Sequence, residues 1–546
     1  MENNKKNFWK GALAGALAMF MVGAAALGIM NVAGVDLGTS QEKVVNAQEE
    51  KKLNKLKKLI DENYLYTDDL KEEDLENGLY SGYINALGDP YSVYYDEEQT
   101  KSLQESTSGE YSGIGVVFSQ NQETKVITAV QVYENSPANE AGIQVNDILY
   151  KVGDKDVSGT DLSDVVQLIR GVENTTVDIT VLRGDDAKEV TMTVTRRKIQ
   201  VETVKSEMKD DQIGYIRVTE FDSVTYDQFK SALDSLEDQG MKGLVVDLRA
   251  NPGGNLATVT QMLDLLLPKG TIVSTKDKSG HEEVISSDDE HQFTKPMSVV
   301  VDGNSASASE IFAGAIQDND RGNIVGRRSF GKGLVQEQRL LPDNSALRLT
   351  VARYYVPSGR SIQKPYDEGK EKYYTDIYQR LLHGEFSQKD SIHFDEKLKY
   401  QTVGGRTVYG GGGIMPDLFV PGDTVGFSRY LVEVNRKNQY LYDFTFDFMD
   451  RHRQETKNIK DYKQLLKYLD RFDLVNEMAD YAAAKGLKRD EKGIRDSYDV
   501  LNSLIKAFIG RHVLDDDGFY PILYQNDVTI KKAIEAQGTG VQADCK

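Results

Sequence analysis

The densest set of chemically able side chains lies in residues 299–336. An apolar run, Val299-Val300-Val301, leads into Asp302-Gly303-Asn304-Ser305-Ala306-Ser307-Ala308-Ser309-Glu310. The stretch closes with Ser329-Phe330-Gly331-Lys332-Gly333-Leu334-Val335-Gln336. A serine hydroxyl is a poor nucleophile until a base removes its proton. Lysine can be that base only as the neutral amine, so its pKa must fall from about 10.4. Burial beside Phe330, Leu334 and Val335 would push it down. Gln336, four residues on, could hydrogen-bond the amine and orient it. No histidine falls in these motifs, which argues against a Ser-His-Asp arrangement and for its Ser-Lys variant.

Each motif also has a reading without chemistry. Ser307-x-x-Glu310 is a capping box, so Ser305 or Ser307 could simply cap the helix that follows. Gly326-Arg327-Arg328-Ser329-Phe330-Gly331-Lys332 has phosphate-loop spacing, but Gly333 stands where Ser or Thr would hold magnesium. Residues 334–349 also read as strands, whereas a phosphate loop must open a helix. A second turn, Arg249-Ala250-Asn251-Pro252-Gly253-Gly254, follows a strand and opens a helix. Glycines at a helix start expose N–H groups suited to an anion or oxyanion, although tight turns need glycine in any case.

The elements that must position these residues alternate from residue 199 onward. Strands are predicted at 213–218, 243–248 and 297–301, the last two continuously apolar as in a sheet buried on both faces. Helices are predicted at 226–236 and 255–266. The succession predicts an α/β core with largely parallel pairing. Upstream, from about Glu110, the period is two: strands at 115–118, 126–132 and 147–152, one helix at 161–170, and a hairpin over 177–181 and 190–194. The loop Ser112-Gly113-Ile114-Gly115 precedes them. This order resembles a PDZ domain, strengthened by Ser136-Pro137-Ala138, Ala141-Gly142-Ile143 and Asp147-Ile148-Leu149. Such domains add a peptide as an extra strand and hold its carboxylate on loop N–H groups. Here Ser112, Gly113, Ile114 and Gly115 would form the loop, with Leu162, Val165 and Ile169 lining the apolar pocket.

The ends of the chain read as helical. Leu53, Leu56, Leu59 and Ile60, then Leu75, Leu79, Tyr83 and Leu87, form amphipathic stripes that suggest packing on a neighbouring domain or a homodimer. From Ser428 onward, Leu465, Leu466, Tyr468 and Leu469, then Leu501, Leu504, Ile505 and Phe508, repeat the pattern. At the N-terminus Lys5, Lys6 and Lys10 precede an uncharged apolar run over residues 11–35, long enough for the ~20 residues of a membrane span. The expectation is a single-pass cell-membrane protein with its catalytic part on the extracytoplasmic face. A cleaved signal peptide, and hence secretion, is the competitor, with Ala24-Ala25-Ala26 as the cleavage site.

Composition narrows the partners. The chain has 546 residues, 39% hydrophobic and 28% charged, with a net charge of -20, which argues against nucleic acid. Its one cysteine, Cys545, excludes an internal disulfide and a Cys-ligated metal cluster. The six histidines are scattered in no metal-ligand spacing, so no metal and no cofactor are expected.

Taken together, the motifs resemble the C-terminal processing peptidases, or tail-specific proteases, over most of the chain. The match is carried by Gly88-Asp89-Pro90-Tyr91-Ser92, residues 112–115, Asp247-Leu248-Arg249 with Asn251-Pro252-Gly253-Gly254, and the serine cluster. Phe330-Gly331-Lys332-Gly333 with Gln336, and Tyr354-Tyr355-Val356-Pro357-Ser358-Gly359-Arg360, complete it. The resemblance implies a crotonase-like α/β protease core with a PDZ domain inserted before it. It implies that Ser307 is the nucleophile, Lys332 the general base and Gln336 its positioner, with the N–H groups of Gly253 and Ala308 as oxyanion hole. Family members cleave exported proteins near their C-termini, the PDZ domain engaging the free tail. The expected division is 1–35 anchor or signal, 36–109 helical region, 110–198 PDZ domain, 199–425 protease core and 426–546 helical extension. The rival readings are a non-catalytic PDZ scaffold at the membrane surface, for which an intact Ser307, Lys332 and Gln336 would be needless, and an acyl-CoA enzyme, which has no use for a PDZ domain.

Overall fold

The computed structural model describes residues 45–538, apart from 68–69, 122–123, 134, 185, 289, 291–292, 367–368, 393–394, 423–427, 438–439 and 526. Contacts divide the chain into two units, residues 1–78 and 79–546. In the first, helix α1 (Ala47–Asn63) starts at a capping box made by Asn46 and Glu49. Leu53, Leu56 and Leu59 remain exposed, so their stripe finds no cover within the helix's own unit. Helix α2 (Glu72–Asn85) follows. The region is helical as expected, with one interruption: the turn at Gly88-Asp89-Pro90 leads into a short strand, β1 (Val93–Tyr95), before helix α3 (Glu97–Ser108).

The β-rich domain is built as its alternation predicts. Strands β2 (Glu110–Gly113), β3 (Val116–Gln120), β4 (Ile127–Val132), β5 (Ile148–Val152), β6 (Lys155–Asp156), β7 (Thr176–Arg183), β8 (Lys188–Thr195) and β9 (Arg197–Gln200) enclose helices α4 (Pro137–Ala141) and α5 (Leu162–Ile169). The main sheet runs β3-β4-β5-β7-β8, with β6 on β5, and β2 pairs separately with β9. The β7–β8 hairpin places Val177, Ile179 and Val181 opposite Val194, Met192 and Val190. Strand β3 lies at the sheet edge, where a further strand can add.

The core sheet runs in the order β10 (Val204–Lys209), β11 (Ile213–Val218), β12 (Gly243–Asp247), β15 (Met297–Val301), β16 (Asn323–Gly326) and β21 (Leu418–Phe419). All pairs are parallel except β10 on β11. Between these strands come helices α6 (Thr225–Asp238), α7 (Leu256–Leu266) and α8 (Ala308–Asp318). They cover one face of the sheet, packing on Ile216, Leu244, Val246, Val299 and Ile324. A second, antiparallel sheet joins β13 (Gly270–Asp277), β14 (Glu282–Ser287), β17 (Leu334–Leu340) and β18 (Ala346–Tyr355), with β1 on its β18 edge. The strands predicted after Lys332 are therefore present, as a hairpin. Helix α9 (Lys370–Leu382) and a small hairpin of β19 (Lys399–Gln401) and β20 (Thr407–Tyr409) precede β21.

The C-terminal region forms helices α10 (Arg429–Val432), α11 (Tyr440–Thr456), α12 (Tyr462–Leu469), α13 (Leu474–Ala484), α14 (Glu491–Asp496), α15 (Tyr498–Leu523) and α16 (Val528–Glu535). Most share a separate core of Phe444, Phe448, Leu465, Leu469, Leu501 and Ile505. Helix α16 departs from it. Ile530 and Ala533, with Ala536, cover the other face of the core sheet at Ile213, Tyr215, Val245, Val300 and Val325.

The single-pass membrane reading is corrected here. Among the described residues no helix is long and apolar enough to cross a membrane. Helix α15 has the length, with 26 residues, but carries Asp499, Lys506 and Arg511, charges that a span admits only at high cost. The apolar run at 11–35 on which the reading rested lies outside the described residues.

Candidate active site

Three loops at the carboxyl ends of adjacent parallel strands meet in one cleft. They follow β12, β15 and β16, the place where open α/β sheets offer binding sites. The cleft has a volume of about 680 Å³, and Gly253, Ser307, Ala308, Lys332 and Gln336 all line it. Residues spread over more than 80 positions of sequence thus share one cavity.

Ser307 is the N-cap of α8 and has φ 57° and ψ −115°. A positive φ at a non-glycine residue is strained and is found where the surroundings enforce it. The other two serines supply part of that enforcement. Ser305 Oγ donates to Leu248 O at 2.8 Å, and Ser309 Oγ donates to Asn251 O at 3.0 Å. The Ala306 N–H donates to the same Asn251 carbonyl at 3.0 Å. Ser305 and Ser309 therefore bind the loop after β15 to the loop after β12, and both are fully buried. Ser307, between them, reaches the cleft.

Glu310 is the organising residue that the sequence showed only in part. Its carboxylate accepts from the Ser307 N–H at 2.9 Å, as a capping box predicts. It also accepts from Ser329 Oγ at 2.5 Å and from the N–H groups of Gly331 at 2.7 Å and Lys332 at 2.8 Å. Burial raises its pKa, while these four donors oppose that rise. Tyr354, also buried, ties the same two segments: its hydroxyl donates to Ser307 O at 3.1 Å and to Lys332 O. The spacing S-x-x-E gave the local bond; the three donors at 329–332 have no sequence signature.

Lys332 Nζ has neither a hydrogen bond nor an ion pair among the described residues, and it lies 4.6 Å from the Tyr91 ring centroid. Burial, then the charge of Arg348, lower its pKa to about 8, against the opposing pull of Glu310 and Asp89. Leu334 and Val335, two of the expected neighbours, line the same cleft, and further residues join them. Phe330 pairs with Lys364, whose Nζ is 3.8 Å from its ring centroid, while Tyr91 and Arg348 crowd Lys332. The Gly88-Asp89-Pro90 turn has a part in this. Asp89 accepts from the Tyr91 N–H at 3.2 Å and from Ser92 Oγ, whose oxygen accepts from the Thr350 N–H at 3.1 Å. These bonds fix Tyr91 beside the lysine.

Gln336 lines the cleft, but its amide donates to Thr350 Oγ1 at 3.3 Å and not to Lys332. The two expected oxyanion donors also differ. The Ala308 N–H, first of α8, has no acceptor among the described residues. The Gly253 N–H is spent on Asn251 Oδ1 at 2.8 Å. No hydrogen bond joins Ser307 to Lys332; the two share the cleft without touching through their polar atoms.

In the β-rich domain Ser112 and Gly113 end β2, and Gly113 pairs with Arg197. Ser112 Oγ is buried without a partner. Gly115 has φ 78°, and a Cβ there would come within 2.4 Å of Ser136 Cβ, so glycine is required. Ile114, Val165 and Ile169 are 2%, 0% and 4% exposed, inside the domain core; Leu162 is half-buried against it. Of the four apolar residues, Leu162 is the most open.

The sequence matches the profile of peptidase family S41 over residues 212–369, which includes Gly253, Ser307, Lys332 and Gln336. The carboxy-terminal-processing protease of Bartonella bacilliformis is 38% identical over 295 residues, 53% of this chain and 67% of that protein. This chain belongs to peptidase family S41. Around the S41 core, a PDZ-domain profile matches residues 128–183, and the activating protease CtpB N-terminal domain matches residues 12–99. Residues 430–515 match DUF8443, a family of unknown function. The carboxy-terminal processing protease CtpA of Bacillus subtilis (strain 168) is 38% identical over 314 residues, 57% of this chain and 66% of that relative. The chain thus spans about two thirds of the length of these S41 relatives. A solved structure named photosystem II D1 C-terminal processing protease is 26% identical, covering 58% of this chain and 90% of its own, with a TM-score of 0.33.

Proposed function

We propose that this S41 member is an endopeptidase with a Ser307–Lys332 dyad that cleaves proteins near their C-termini. The observation that carries the reading is one cleft holding a strained serine at a helix N-terminus beside an unpaired lysine whose pKa is about 8. As the neutral amine, Lys332 takes the proton of Ser307 Oγ while that oxygen attacks the scissile carbonyl carbon. The carbonyl oxygen becomes an oxyanion and is met by the Ala308 N–H, with the helix N-terminus behind it. The Gly253 N–H joins by exchanging Asn251 Oδ1 for the charged acceptor, which makes the stronger bond. Lys332 then returns the proton to the leaving amine, and water hydrolyses the acyl-serine by the same steps. Gln336 joins this cycle by leaving Thr350 Oγ1 for the lysine amine in the substrate complex. Catalytic contacts that are open in a free enzyme close in the substrate complex, which accounts for the unmade Ser307–Lys332 bond.

The PDZ domain supplies the tail preference in this reading. The β3 edge can pair with a C-terminal segment as an added strand, with Leu162 under its apolar side chains and residues 112–115 at its carboxylate. The names of its relatives, carboxy-terminal processing proteases, support the same substrate end. The test is cleavage of an unfolded protein with an apolar C-terminal tail. Ser307→Ala and Lys332→Ala should each lower kcat/KM by about 10³-fold or more, with unchanged thermal unfolding. Cleavage that survives either substitution sinks the dyad.

A further inference from the structure

The cleft that holds Ser307 has an acidic end that the dyad does not use. Glu220 and Asp222 both line it. They flank Phe221, which is built into the loop carrying Gly253. The Phe221 N–H donates to Gly253 O at 3.0 Å, and its carbonyl accepts from the Asn255 N–H at 2.7 Å. The two carboxyls therefore share the cleft with the proposed reacting centre.

Asp222 is 6% exposed, yet its carboxyl has no hydrogen bond and no ion pair among the described residues. Only its backbone is engaged: the N–H donates to Thr225 Oγ1 at 2.9 Å, and the carbonyl accepts from Thr258 Oγ1 at 3.1 Å. Glu220, exposed at the rim, is equally unpaired. Lys332 and Arg348 line the cleft as well, but neither comes within ion-pair distance of either acid. Leaving a carboxylate this buried without a partner is costly. Burial and the charge of Glu220 accordingly raise Asp222 to about 7. Asp222 lines the cleft, where a cationic group can reach its carboxyl.

We propose that Glu220 and Asp222 form a subsite for a lysine or arginine side chain of the substrate, close to the scissile bond. The cationic head would bind between the two carboxylates as charge-assisted hydrogen bonds. Its methylenes would run along Leu103 and Leu256, which line the same cleft. The subsite deepens the Ser–Lys reading and rests on it.

The experiment uses the full chain and a peptide in which each residue within three of the scissile bond is, in turn, lysine, norleucine or glutamate. At one position lysine should exceed norleucine in kcat/KM by about tenfold, with glutamate poorest. In Asp222→Asn/Glu220→Gln that lysine-to-norleucine ratio should fall to within about twofold of one. Because the ratio is taken within each variant, partial loss of active enzyme does not disturb it. Should the double variant fail to fold, Glu220→Gln alone, at the exposed rim, should lower the ratio measurably. Equal cleavage of lysine and norleucine peptides at every position by the wild type overturns the subsite while leaving the dyad intact. Cleavage by Ser307→Ala would instead defeat the dyad, whatever the preference for lysine.

Discussion

Lys332 sets the pH range in which the proposed chemistry runs. A lysine accepts a proton only when neutral, and that form grows as pH rises through its pKa of about 8. The expected profile of kcat/KM climbs with pH and levels off above about 8. Arg348 is one cause of the low value, so Arg348→Gln should move the rising limb to higher pH and cut activity at pH 7 by about three- to tenfold. A full pH–rate profile of both enzymes checks this; an unmoved limb in Arg348→Gln would remove the arginine from the account. The need for a buried lysine was legible in residues 329–336, because chemistry demands it there. Two of its neighbours were not. Tyr91 and Arg348 lie 241 positions before it and 16 after it in the chain, and the pairing of β1 with β18, with the Ser92–Thr350 bond, brings the first of them near. The same holds for Asp222, which carries no motif and becomes notable only once its burial is seen.

The strand-to-helix loops show why the elements were easier to read than the contacts between them. Continuous apolar runs such as Val299-Val300-Val301 mark strands buried on both faces, and glycine-rich turns mark where helices begin. The locking of one loop by another has no period to betray it. Glu310 illustrates this, since three of its four donors come from a segment some twenty residues away. Gly253 is where the locking meets the serine. It has φ 107°, and a Cβ there would lie 2.6 Å from Ser307 Cβ, 2.7 Å from Ala306 O and 2.9 Å from Ala308 N. Two of those atoms are backbone, so nothing flexible can yield. Gly253→Ala should therefore displace Ser307 from Ala308 and lower kcat by about 10²- to 10³-fold. Gly359→Ala is the matched control, with φ 82° and open space around its Cβ. It should cost about 1 kcal/mol of stability from backbone strain and leave kcat within about twofold. Equal loss in both variants would mean that φ alone, and not the crowding at Ser307, is responsible.

At the scale of the whole molecule, the C-terminal extension changes most in meaning. Its helices were legible from their apolar stripes, but their docking was not, because α16 presents its apolar residues to a sheet face that reads as core in either case. The ion network at that junction reaches the site. Asp247, at the end of β12, is fully buried; burial would raise its pKa, yet the charge and hydrogen bonds of Arg249, then Arg217, hold it below the ordinary value. Arg249 opens the loop that ends at Gly253, and its guanidinium also donates to Asp527 Oδ2 at 2.5 Å, at the N-cap of α16. Tyr524 stacks on it, with its ring centroid 5.0 Å away. Both partners of the Arg249–Asp527 pair are only 12% exposed, so removing one leaves a nearly buried charge half-satisfied. Asp527→Ala should cost about 2–4 kcal/mol of stability. It should also free Arg249 and loosen residues 249–254, lowering kcat by about three- to tenfold with KM nearly unchanged, since the substrate cleft itself keeps its walls. Denaturant unfolding and steady-state kinetics on the same preparations separate the two effects. A variant that loses stability but keeps kcat would confine the extension to covering the sheet; one that loses neither would show that the buried pair holds nothing at all.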